Sequence, residues 1–272
     1  MPELPEVETT RKGIEPHIIN KKIREVRVYQ PHLRWPVPNN LNEQLSGLKV
    51  LAVERRAKYI LIRFLSCSLI IHLGMSGSLR ILNDNEPKLK HDHIDVDFTD
   101  GTRLRFNDPR RFGCFLPITG QTDSSHPLLA NLGPEPLGES FNGDYLHRLS
   151  RGRRSSIKTF VMDQAIVVGV GNIYANEALF KAGISPARAA GQISLKRYRV
   201  LAEEIKTVLK AAINMGGTTL RDFVGGDGKP GYFQQTLMVY GRGGEPCLTC
   251  KKILKEIRLG QRSTVYCTNC QK

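Results

Sequence analysis

The C-terminal end of the chain constrains its structure most tightly. Cys247-x-x-Cys250 and Cys267-x-x-Cys270 stand sixteen residues apart. Two such pairs present four thiolates at the spacing of a tetrahedral sulfur site, which suits structural zinc. The stretch from Tyr240 to Lys272 carries too few apolar side chains to build a core of its own, so it needs a staple. Leu259-Gly260-Gln261-Arg262 reads as a hairpin tip between the pairs, and the whole as a zinc ribbon. All four positions are cysteine, so no ligand position is open for metal catalysis. The competing reading is a pair of disulfides. The N-terminus, MPELPEVETT, lacks the basic start and apolar run of a secretory signal, so a cytosolic chain with reduced thiols is expected. Cys67 and Cys114 fall in strand-like runs and read as core thiols.

The charge is lopsided. Residues 1–143 hold 19 basic and 17 acidic side chains, whereas residues 144–272 hold 21 and 9. The excess in the second half points to a polyanion, most simply nucleic acid, although a basic solvated surface would look the same. At 272 residues the chain is long enough for about two domains. Its apolar runs are too short to span a bilayer, so no membrane partner is expected.

A short helix opens the chain. Pro5 suits a first helical turn, Glu6 and Glu8 suit the positive end of its dipole, and Leu4, Val7 and Ile14 share a face. Short β-rich runs follow at residues 48–54, 58–65, 68–73, 78–82, 93–98 and 102–106. Asp100-Gly101 marks a hairpin between the last two, and the close spacing predicts a β-sandwich or barrel. Residues 132–143 are rich in Gly and Pro and read as a linker. Helical periodicity takes over at 174–181 and 195–213, with Gly216-Gly217 as a stop. Residues 224–233 form a glycine-rich loop. The expected architecture is α+β and multidomain: 1–131 a sandwich bearing the N-terminal helix, 132–143 a linker, 144–239 a helical domain and 240–272 the ribbon.

PELPE at the N-terminus, RRAKYI at 55–60, HLGMSG at 72–77, KHDH at 90–93 and DPRRFG at 108–113 occur in order with LGPEPL, GVGNIYA at 169–175, GGTTLRDF, DGKPGYF and the ribbon with GQRST. Each motif alone is weak. The ordered set over nearly the whole chain resembles the bacterial formamidopyrimidine-DNA glycosylase family. The resemblance implies a monomeric base-excision repair enzyme that removes oxidised purines, such as 8-oxoguanine and formamidopyrimidines, from duplex DNA. It then cleaves the abasic strand by β,δ-elimination. It also implies a helix–two-turn–helix fold for the helical domain, one structural zinc with no catalytic metal, and DNA lying in the cleft between domains. The endonuclease VIII branch, acting on oxidised pyrimidines, is the first alternative; Leu4 stands where that branch usually has Gly. A non-catalytic zinc-ribbon DNA-binding protein is the second.

The chemistry follows from the residues that match. Met1 precedes a small residue, so its removal is expected, and it leaves Pro2 with a terminal secondary amine. An α-amine titrates near pH 7.7–8.0, so a useful neutral fraction exists at neutral pH. By resemblance Pro2 is the nucleophile that forms a Schiff base at the sugar. Glu3 is the general acid, Glu6 supports it, Lys58 donates a proton during elimination, and Arg262 assists the last elimination and holds a phosphate. Without the other motifs, Pro2, Glu3 and Glu6 would read as ordinary helix-start residues, as Glu8 does here. Lys58, expected in a strand, would read as a surface lysine.

Extruding a base leaves a hole in the duplex that apolar or planar side chains commonly fill. By resemblance Met75, Arg110 and Phe112 intercalate, and His91, Arg110, Arg153, Asn172 and Lys158 contact DNA. Core packing is the plainer reading for Met75 and Phe112, yet both sit in turn-rich segments. Arg151 and Arg154 flank Arg153 and blur that assignment. Residues 224–233 resemble the loop that closes over the extruded base.

Overall fold

In the computed structural model, which describes residues 2–83, 85–119, 125–217 and 236–272, Glu3 caps the first helix, α1 (Leu4–Ile18). Glu3 and Glu6 form a reciprocal capping box, with Pro5 in the first turn. Leu4, Val7, Ile14 and Ile18 face inward and are essentially fully buried.

The strands that follow build two four-stranded antiparallel sheets. One takes β1 (Ile23–Val28), β6 (Asp92–Phe98), β7 (Thr102–Asn107) and β5 (Ser78–Asn83) in that spatial order. The other takes β2 (Ala52–Arg56), β3 (Tyr59–Arg63), β4 (Cys67–His72) and β8 (Cys114–Thr119). Their apolar residues, among them Val26, Ile60, Ile71, Val96, Leu104 and Phe115, join α1 and the short α2 (Leu41–Leu45) in one core. This is the expected sandwich bearing the N-terminal helix, with a hairpin at Asp100-Gly101, where Gly101 has φ +86°. Lys58 departs from the expected strand. It sits with Ala57 in the two-residue turn between β2 and β3, because Arg56 already pairs with Tyr59.

The outer face of β6–β7 is also buried. Asp95 and Asp97 alternate with Ile94, Val96 and Phe98, and Arg103 and Arg105 alternate with Leu104 and Phe106. Arg105 Nε donates to Asp95 Oδ1 at 2.7 Å and Arg103 Nε to Asp97 Oδ1 at 2.6 Å, while Arg27 also donates to Asp97. Burial alone would raise the Asp95 pKa; the Arg105 guanidinium outweighs it and holds the carboxyl below its ordinary value.

The second unit is helical: α3 (Gly143–Ser150), α4 (Ile157–Met162), α5 (Asn172–Lys181) and α6 (Leu195–Asn214). Residues 173–180 of α5 are all buried, the pattern of a central helix, whereas α6 buries one stripe through Tyr198, Leu201, Ile205, Val208 and Ala212. Residues 132–142 are not a free linker. Gly133 N–H donates to Gln164 O at 2.8 Å, and a Cβ on Gly133 would lie 2.8 Å from Ala165 O. The ribbon is the hairpin β9 (Lys255–Leu259) and β10 (Arg262–Tyr266). Gly260 and Gln261 both have positive φ at its tip, the signature of a type I′ turn.

The two compact units interleave in sequence. One comprises Met1–Ala130 with Met215–Gln234, the other Asn131–Asn214 with Gln235–Lys272. Within the first, a Cβ on Gly217 (φ +82°) would come within 3.2 Å of Glu6 Oε1. The loop at 224–233 lies outside the described residues.

Candidate active site and DNA-binding residues

Pro2, Glu3 and Glu6 are buried together at the start of α1. Glu3 N–H donates to Glu6 Oε2 at 2.8 Å, and the Glu3 carboxylate accepts from the Glu6 backbone. Glu6 therefore fixes the amide that follows Pro2, and both carboxylates stay beside that residue. Glu8, which the sequence assigns only to the helix dipole, has a further job. Its carboxylate accepts from Arg11 and from Arg55 Nε at 3.0 Å, and Arg55 in turn donates to Ala57 O at 2.9 Å. Arg55 thus ties the turn carrying Lys58 to α1. Lys58 is 5% exposed, not the surface lysine its position in the sequence suggests.

His72 lies near this turn and went unassigned in the sequence. Its ring packs against Tyr59 at 5.0 Å between centroids, and its Nδ1 accepts from Gly74 N–H at 3.0 Å. Burial first, then the positive charges of Lys58 and Arg34, lowers its pKa to about 4. A neutral His72 therefore holds the start of the loop that carries Met75. Next to Met75, the buried Ser76 hydroxyl has no hydrogen-bond partner among the described residues.

The Met75 loop and the loop bearing Arg110 and Phe112 meet backbone to backbone. A Cβ on Gly74 would fall 2.6 Å from Gly113 N, and one on Gly113 would fall 2.6 Å from His72 O. Asp108 organises the second loop by accepting from Gly113 N–H at 2.8 Å and Arg110 N–H at 3.3 Å. Burial nonetheless leaves its pKa above the ordinary carboxylate value. Phe112 is 42% exposed, with the Arg110 guanidinium 5.0 Å from its ring centroid. The structure thus brings Met75, Arg110 and Phe112 together and leaves the two planar groups open to solvent. His91 follows a segment pinned by the buried charge network: Arg105 donates to Pro87 O and Asn107 to Lys90 O.

In the second unit Asn172 opens α5, and Arg262 is exposed just past the ribbon tip. Arg153 and Arg154 are exposed, whereas Arg151 donates to His147 O and Ile193 O. Lys158, expected from the resemblance to contact DNA, is held inside the unit. It is fully buried, and its Nζ donates to Ser263 O at 2.9 Å and Thr264 Oγ1 at 2.6 Å. Glu177, also unforeseen, accepts from three successive backbone N–H groups, Met238, Val239 and Tyr240, at the entry to the ribbon.

Backbone strain follows these positions. Of the six non-glycine residues with positive φ among the described residues, Ala57, Arg111 and Gln261 adjoin Lys58, Arg110 with Phe112, and Arg262, and a fourth is His91 itself. Left-handed backbone at a residue with a side chain persists only where its surroundings enforce it, commonly at functional sites.

The four ribbon cysteines place their Sγ atoms within 4.8 Å of one another. Zn–S bonds of about 2.3 Å require sulfur–sulfur edges of roughly 3.8 Å. The Cys250–Cys267 and Cys247–Cys270 separations of 3.4 and 4.0 Å bracket that value. The chain carries one structural zinc site.

A sandwich with a capped helix, a helical unit and a zinc ribbon carrying exposed arginine define a DNA-processing enzyme of the helix–two-turn–helix class. Three family descriptions match along the chain: the formamidopyrimidine-DNA glycosylase N-terminal domain at residues 1–115, its H2TH domain at 132–224, and the zinc finger found in FPG and IleRS at 244–272. The formamidopyrimidine-DNA glycosylases of Hahella chejuensis and Stutzerimonas stutzeri are 62% and 61% identical over 272 residues, covering all of each chain. The structure of Lactococcus lactis Fpg with DNA containing an abasic site superposes with a TM-score of 0.91 at 32% identity, over 99% of both chains. The MutM (FPG) protein from Thermus thermophilus gives 0.88 at 37% identity, over 99% of this chain and 98% of its own. The chain belongs to the formamidopyrimidine-DNA glycosylase family. It is a bifunctional base-excision repair enzyme, a glycosylase for oxidised purines and an abasic-site lyase.

Proposed function

We propose that both reactions run through the capping box at the start of α1, on damaged duplex DNA. With Met1 removed, the Pro2 nitrogen attacks C1′ of the damaged nucleotide. The C1′–N bond to the base breaks, and Glu3 supplies the proton that lets the sugar ring open. The resulting iminium acidifies C2′. Loss of that proton expels the 3′-phosphate, and a second elimination expels the 5′-phosphate. Lys58 donates a proton in these steps, and Arg262 holds a phosphate and assists the last one. Glu6 acts through Glu3 by holding its amide. The observation that carries this reading is the hydrogen-bonded Glu3–Glu6 box, buried together with Pro2, with Arg55 bracing the Lys58 turn against the same helix.

Met75 and Phe112 fill the void left by the extruded base while Arg110 reads its orphaned partner. His91, Arg153 and Asn172 contact DNA, and Lys158 contributes from inside by fixing the ribbon. The enzyme works as a monomer in the cytoplasm, on the nucleoid where its substrate is.

Borohydride trapping on a duplex bearing 8-oxoguanine opposite cytosine tests the nucleophile. The cross-linked peptide is expected to begin at Pro2, and residues added before Pro2 should abolish trapping. Full-yield trapping by the extended protein would assign the chemistry to an internal lysine instead.

A further inference from the structure

The ribbon is a two-stranded sheet, so the outward N–H and C=O groups of β10 have no third strand to meet. In this protein two buried side chains take that place. Ser263 and Val265 lie two residues apart and expose their backbone groups on the same edge. Lys158 Nζ donates to Ser263 O at 2.9 Å, and Val265 N–H donates to Asn176 Oδ1 at 3.1 Å. Asn176 is 1% exposed and also reaches back one helical turn, where its Nδ2 donates to Asn172 O at 2.6 Å. One amide group thus grips the first turn of α5 and the strand that starts at Arg262. The tip is pressed home as well, since a Cβ on Gly260 would lie 2.7 Å from the Thr159 methyl of α4.

We propose that Asn176 is a positioning residue that sets the spacing between Asn172 and Arg262, so that the two engage phosphates of the same DNA backbone together. The proposal rests on the assignment of Arg262 to a phosphate. A primary amide suits the task because it offers a donor and an acceptor on one rigid plane. With an apolar side chain at 176, Val265 N–H loses its partner and the ribbon stays metal-bound but pivots against α5.

The test is a cycle of Asn176→Ala, Arg262→Ala and the double variant, each with zinc stoichiometry measured. Binding to a duplex containing a tetrahydrofuran abasic analogue is followed as a function of salt, alongside single-turnover base release and strand scission. Arg262→Ala should lower the salt slope by about one, as loss of one phosphate contact does. Asn176→Ala should reproduce that change with zinc retained, and should slow scission more than base release. The double variant should fall within about twofold of Arg262→Ala alone, whereas independent sites would multiply. Asn176→Asp keeps an acceptor for Val265 N–H but gives up the donor to Asn172 O, so it should recover only part of the slope; it carries the test if the alanine variant loses zinc. Multiplicative losses, or an aspartate variant that holds zinc and keeps the parent's full slope, overturn the role of Asn176. An unchanged slope in Arg262→Ala overturns the phosphate assignment and the proposal with it.

Discussion

Two hairpins in this molecule meet the same difficulty by different means. β6–β7 and β9–β10 are both rich in polar side chains. In β6–β7 the outer face is closed by Asp92, Asp95, Asp97, Arg103 and Arg105, all at most 4% exposed and paired with one another or with the backbone of residues 86–90. In β9–β10 most side chains are exposed, and order comes from four sulfurs and a small cluster of Phe180, Val239, Leu254 and Val265. The comparison teaches that a short polar hairpin can be held by many mutually neutralising charges or by one ion. The first solution fails locally when a member is lost. The second fails as a whole.

The largest effect should come from the metal. Cys247→Ser, or chelation, should disorder residues 240–272 while the sandwich keeps its structure, because structural zinc typically contributes about 10–16 kcal/mol of apparent binding energy. Hydrogen exchange would show protection lost across β9–β10 and kept across β6–β7. Ribbon amides that remain protected without zinc would erase the contrast between the hairpins.

Next comes the charge network. Arg105→Met leaves Asp95 buried without its main partner, while Asp92 keeps Arg80, which should cost about 3–5 kcal/mol in denaturant unfolding. Adding Asp95→Asn should recover part of that loss, since removing both members of a buried pair costs less than removing one. A double variant no better than the single would mean that shape, not charge, closes this face.

The smallest effect concerns His72, which is half-buried near Lys58 and Arg34. Its pKa falls to about 4 from an unfolded value of 6.5, so the unfolded chain binds the extra proton first. Stability should rise with pH across that window and be lost as pH falls through it, by up to roughly 3 kcal/mol. His72→Asn keeps an acceptor for Gly74 N–H and should flatten that part of the Tm–pH curve. A variant with the parent's full slope would assign the pH dependence to other groups.

The same contrast explains what could be read from the chain directly. Four cysteines at fixed spacing announce the ribbon because metal geometry depends on local sequence. The alternation of Asp with Ile and Val in β6 announces a strand, but it reads as a solvated face. Only the irregular segment 86–90, folding over it, turns that face inward. The position of Lys58 is hidden for a related reason: a lysine beside two arginines reads as the start of a strand, and only the pairing of Arg56 with Tyr59 puts it in the turn. β1 and β8 leave little signal in the sequence because each is a lone short run completed by partners distant in sequence. The capping box was visible as Glu3 and Glu6 around Pro5, yet the bracing role of Glu8 through Arg55 needed the fold.

The I′ turn at Gly260–Gln261 has a consequence for how this ribbon tolerates change. Its tip is stopped against Thr159, and the strands behind it are only five residues each. Because side chains alternate across a strand, inserting or deleting one residue in β10 would turn Arg262 to the opposite face while leaving every cysteine in the sequence. Substitutions on the exposed faces of the hairpin are therefore the cheap route for its divergence, and changes of length the expensive one. Lineages descended from this chain should vary the ribbon's exposed residues other than Arg262 and keep the sixteen-residue gap between its cysteine pairs.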